Sequence, residues 1–150
     1  MINKPALTLD DAKQLLAAAE EKARQNSWEV VIAVLNDGGR IIAVHRMDGA
    51  RPGNDDIALA KANTSTMTCR PSAVWERWIE NDHKAYATFP LLAAAGGLPI
   101  IVDGHLVGAM GVSGVKAVED EQIAMHAIKT VFPDAATARA GEEGDAQAGD

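Results

Sequence analysis

A single cysteine, Cys69, stands in a chain of 150 residues, so no intrachain disulfide can form. That scarcity excludes zinc sites built from several thiolates and fits a reducing compartment. Aromatics are sparse too: three Trp, two Phe and one Tyr. No apolar run approaches the roughly 20 residues of a membrane-spanning helix. The opening MINKPALTLDDAKQLL carries Lys4 but no apolar segment ahead of its acids, which argues against a secretory leader. Positive charge is in deficit, with 14 Lys and Arg against 21 Asp and Glu and a net charge of −7. Such a surface, with no Lys/Arg stripe, repels nucleic acid. These absences predict one soluble, cytoplasmic domain with neither nucleic acid nor a membrane as partner.

Several chemical motifs are also missing. There is no HExxH pair for a helical zinc site, and no metal site is expected. There is no CxxCH for covalent haem, although haem also binds through a single His, Met, Tyr or Cys. The glycine-rich stretch GGLPIIVDGHLVGAMGVSG, residues 96–114, matches neither GxGxxG nor a Walker motif. Its glycines alternate with strand formers, which points to close packing instead of a phosphate cradle. Ser113 lies outside a GxSxG elbow, and nothing in the sequence sets a histidine beside Cys69.

What is present reads as α+β. Thr8 caps a helix over 9–25, with Asp11 completing a capping box. EVVIAVL and RIIAVH, separated by Asn36-Asp-Gly-Gly39, predict a β-hairpin. Asn54 is placed to cap a second helix over 55–68, and Pro71 to open a third carrying Val74, Trp75, Trp78 and Ile79. A short strand is expected around 87–92. Strands at 99–102 and 105–113 flank the turn Asp103-Gly104, and a last helix covers 119–131 before Pro133. Hairpins without βαβ crossovers give an antiparallel sheet with flanking helices. The domain spans 1–133. The tail 134–150 has five acids, one arginine and few large apolar groups, and is expected to be disordered.

Two groups of residues stand out as candidate chemistry. Arg46 and Lys61 suit an anionic pocket, Lys61 lying within the small-residue run ALAKA. The plain alternative pairs Lys61 with an acid such as Asp56 or Asp37. Trp75, Trp78, Tyr86 and Phe89 are four of the six aromatics, and form either a local core or the wall of a pocket or interface.

The order DGGR (37–40), RMDGA (46–50), AxxKA (58–62) and GGxP…DG…GAxGVSG (96–114) resembles the GlcG/HbpS-like family, which includes the C-terminal domain of PduO. The resemblance covers about residues 7–132. It implies a profilin-like α+β domain with a five-stranded antiparallel sheet, a homo-oligomer, and haem as a cofactor of some members. It assigns no haem ligand to any position here. The leading expectation is a binding protein for a small molecule, haem among them. Its pocket for a carboxylate-bearing ligand would use Asp37, Arg46, Lys61, Trp75, Trp78, Gly96 and Gly97. The alternative is a cofactor-free isomerase, lyase or hydrolase acting on a small organic acid or aromatic catabolite. There Arg46 and Lys61 would hold the carboxylate or an enolate, and His45, His83 or Asp37 would move a proton.

Overall fold

A computed structural model describes residues 1–142. Helix α1 is Leu9–Gln25, followed by strands β1 (Val31–Asn36) and β2 (Ile41–Arg46). Helices α2 (Asn54–Thr68) and α3 (Ser72–Glu80) come next. A 3-10 turn, Lys84–Thr88, leads to β3 (Gly97–Val102) and β4 (His105–Ser113). Helix α4 is Ala117–Val131.

The local signals act as expected in most places. Thr8 Oγ1 accepts from Asp11 N, and the Asp11 carboxylate accepts from Thr8 N, which closes the capping box of α1. Asp103 and Gly104, with φ of 50° and 76°, make the two-residue turn between β3 and β4. Both positive values suit the twist of a tight hairpin.

The sheet is antiparallel, in the order β2-β1-β4-β3. It has four strands, which corrects the expected five. The missing strand is the one anticipated at 87–92. Pro90 has no N–H to give a ladder. Tyr86 and Phe89 both turn toward Trp75, with ring centroids 5.0 and 5.7 Å away, whereas a strand would alternate its side chains. Gathering these rings around Trp75, with Tyr86 half-buried and Phe89 still exposed, favours a turn over an extended segment.

Helices cover both faces. Helices α1 and α4 pack on one, where Leu15, Leu16, Ile32, Met110, Ile123 and Ile128 form the main core. Helix α2 covers the other, with Ala58 against Val31 and Ala33. β1 is therefore buried on both sides, which explains its unbroken apolar run. Helix α2 lies unusually close to the sheet. A Cβ at Gly111 would sit 2.0 Å from the Ala58 carbonyl oxygen, and one at Gly97 would sit 2.2 Å from that of Lys61. Gly108 serves the opposite face, where a Cβ would meet Leu7 Cδ1 at 2.6 Å. Gly97, Gly108 and Gly111 thus thin the strands for packing.

Residues 134–142, expected within an unfolded tail, lie against the sheet edge. Ala136 exchanges two backbone hydrogen bonds of 2.9 Å with Ile101 of β3, and Ala135 and Ala138 are buried. The rest of that expected tail, 143–150, lies outside the described residues.

Candidate functional site

Small residues let α2 settle onto the sheet, and that approach carries Lys61 into the interior. Its ammonium donates to the Val112 carbonyl at 3.1 Å and to Asp120 Oδ2 at 2.9 Å. Its side chain is 4 % exposed and that of Asp120 2 %. Gly96, at φ 126°, makes room for it: a Cβ there would lie 2.8 Å from Lys61 Nζ. Asp120 stands in the first turn of α4, and its second oxygen accepts from Val115 N at 3.1 Å. Burial pushes the Asp120 carboxyl up, while the Lys61 hydrogen bond and charge pull against it. Lys61 does pair with an acid, but with neither Asp56 nor Asp37. A partner 59 residues away leaves no local signal in the sequence.

Above this pair opens a groove of about 510 Å³, bordered by α2, the end of β4, the start of α4 and residues 92–94. Two polar residues outside the expected ligand set, Asn54 and Arg51, line it. Asn54 was expected to cap α2, but Gly53 takes the cap position, without a side-chain bond. Released from capping, Asn54 turns inward. It is 7 % exposed, its Oδ1 accepts from Ser113 Oγ at 3.5 Å, and its buried Nδ2 has no partner among the described residues. Arg51 lines the same groove. No hydrogen bond or ion pair to another described residue engages its guanidinium. The remaining walls include Ile57, Leu92, Ala93, Ala94 and Val115.

The other sequence candidates hold this groove or lie away from it. Arg46 donates to the carbonyls of Arg51 at 2.9 Å and Pro52 at 3.1 Å, and meets Asp55 at 3.0 Å. It therefore fixes the loop that presents Arg51. Gly96 and Gly97 adjoin Lys61. Trp75 and Trp78, with centroids 5.2 Å apart, belong to the separate cluster with Tyr86 and Phe89. Their helix reaches the groove indirectly. Ser72 Oγ donates to the Ala94 carbonyl at 2.5 Å, and Glu76 accepts from Ala95 N at 3.2 Å. Asp37 stands in the β1–β2 turn, where the hydrogen bond from Lys4 holds its carboxyl below the usual range. The structure thus gathers Lys61, Gly96 and Gly97, adds Arg46 through its loop, and sets Asp37, Trp75 and Trp78 apart.

Side chains able to ligate haem iron border other clefts. His45 and Met47 lie in one of about 490 Å³ with Glu20, Arg24, Glu29, Arg46 and Asp48. The His45 ring Nδ1 is 2.5 Å from Glu20 Oε1. Met125 and His126 lie in another, beside Lys22 and Glu121. Among the described residues, no His, Met, Cys or Tyr lines the groove over Lys61. Its residues therefore do not fit a ligated haem.

Known proteins share this arrangement of elements. Protein GlcG of Escherichia coli (strain K12) is 40 % identical over 114 residues, covering 75 % of this chain and 85 % of that protein. The crystal structure of a PduOC–haem complex superposes with a TM-score of 0.81 at 25 % identity, over 90 % of this chain and all of that one. That of HbpS gives 0.79 at 28 % identity, over 88 % of this chain and 94 % of that one. A family model described as "Haem degrading protein HbpS-like" matches residues 7–129. The chain belongs to the HbpS-like family.

Proposed function

We propose that this protein binds a small, carboxylate-bearing molecule in the groove above the Lys61–Asp120 pair. The observation that carries the reading is Asn54, a groove-lining residue whose buried Nδ2 has no partner among the described residues. Leaving such a donor unsatisfied costs about 1–3 kcal/mol, and a ligand oxygen that the amide shifts to meet would offset that cost. Arg51, whose guanidinium has no partner among the described residues, adds a cation suited to a carboxylate. The groove is of ordinary ligand-site volume, with apolar walls and few polar groups. A haem complex among the structural relatives supports small-molecule binding as the general activity. Haem needs an iron ligand, which the clefts holding His45 and Met47 or Met125 and His126 can supply.

Titration tests this reading. Small carboxylates followed by calorimetry, and hemin followed at its Soret band, are applied to the wild type, Asn54→Ala and Arg51→Gln. Carboxylate binding that weakens in both variants supports the groove. Binding of every probe that is indifferent to both variants overturns it.

A further inference from the structure

We infer that the groove selects a monocarboxylate with a compact apolar body, in preference to a dicarboxylate or haem. The inference rests on the groove being the ligand site and adds the charge and shape of what enters it. Two cations and one anion line the groove: Arg51, Lys61 and Asp120. Lys61 and Asp120 meet at 2.9 Å, both buried, so their charges cancel locally. One uncompensated positive charge remains, on Arg51.

One carboxylate therefore finds a full set of partners. One oxygen accepts from the Arg51 guanidinium, and a small shift of the groove-lining Asn54 amide, whose Nδ2 is closed to solvent in this structure, would bring that donor to the other. Ser113 Oγ gives its one proton to Asn54 Oδ1 and so helps to hold that amide in the wall. A second carboxylate would meet no free cation, because the Lys61 ammonium is already held by Asp120 and the Val112 carbonyl. A carboxylate taken out of water without a partner is strongly disfavoured. Beyond the polar wall, the body of the ligand meets Ile57, Leu92, Ala93, Ala94 and Val115. Ile57, 39 % exposed in this structure, would be covered by an apolar group. Haem contradicts both features, having two propionates and an iron for which this groove has no ligand.

The probes are butyrate, benzoate, succinate and hemin, measured by calorimetry and absorbance on the full chain. Butyrate or benzoate is expected to bind at least about tenfold more tightly than succinate, a gap of about 1.4 kcal/mol. Arg51→Gln should weaken monocarboxylate binding by about tenfold to a hundredfold. Arg51 is exposed, so the melting temperature should hold and separate lost binding from lost folding. Succinate or hemin binding as tightly as butyrate, and weakened equally by Arg51→Gln, overturns the monocarboxylate while the groove reading stands. Binding of all four that ignores both Arg51→Gln and Asn54→Ala overturns the two together. No binding of butyrate or benzoate at millimolar concentration also overturns the inference.

Discussion

Lys61 and Asp120 form an ion pair at 2.9 Å across the end of β4, joining α2 on one face of the sheet to α4 on the other. Lys61 also holds the Val112 carbonyl, and Asp120 the Val115 amide. Removing one partner strands the other charge in the interior. Lys61→Met and Asp120→Asn should each cost about 3–5 kcal/mol. The double variant should cost clearly less than the two added together. Urea unfolding of the four proteins measures this coupling, and additive losses would show that the pair does not act as a unit.

Gly111 and Gly53 should respond oppositely to alanine. At Gly111 the new Cβ would lie 2.0 Å from the Ala58 carbonyl oxygen and 2.7 Å from Ala62 N. Both are helix backbone, so α2 itself must move, at a cost of about 1–3 kcal/mol or more. At Gly53 nothing lies within 4 Å, and its φ of −83° suits any residue. Gly53→Ala should be neutral or stabilising by up to about 1 kcal/mol. Thermal unfolding distinguishes the two.

The protein should lose stability in acid partly through Glu20. Burial raises this carboxyl, but hydrogen bonds from His45 and Arg24 more than offset it and hold it below its ordinary 4.5. A carboxyl lowered in the folded state contributes stability above its unfolded value, lost as pH falls through the folded one. Glu20→Gln should therefore flatten the acid limb of stability against pH. Denaturation midpoints between about pH 3 and pH 6 bracket the ordinary carboxylate range and would show it. An unchanged acid limb would rule out this role for Glu20.

Arg46 should influence the ligand without touching it. Its guanidinium fixes the Arg51 and Pro52 carbonyls, so Arg46→Ala frees the loop that presents Arg51. We expect monocarboxylate affinity to fall by about tenfold, a change of about 1.4 kcal/mol. Arg46→Lys should recover only part of the loss, because one ammonium cannot reproduce the fork that spans two carbonyls and Asp55. Full recovery by lysine would point to simple charge attraction. Isothermal calorimetry of the three proteins decides.

The α1 capping box, the β1–β2 hairpin and the Asp103-Gly104 turn were all legible in the sequence. Each depends on neighbours a few residues apart, so composition and spacing carry the full instruction. The close packing at Gly108 and Gly111 was legible as well, because a glycine between strand formers has few other uses. Residues 87–92 were misread because the decisive contact, Tyr86 and Phe89 turning onto Trp75, joins elements that local patterns cannot relate. Asn54 is the sharper case. Its position suited a helix cap, yet the chain leaves that cap unmade and turns the side chain toward Ser113, 59 residues on.

Length, charge, the order of elements and the family motifs were thus settled by residues acting on near neighbours. The groove was not. It exists because α2 approaches the sheet over Gly97 and Gly111, which buries Lys61 and requires a counter-charge from α4. Pairing with Asp120 then removes Lys61 as a free cation and leaves the Arg51 guanidinium and Asn54 Nδ2 without partners among the described residues. Which charges cancel and which donor stays unmet depends on distances between segments far apart in the chain, and these arise only when the layers pack.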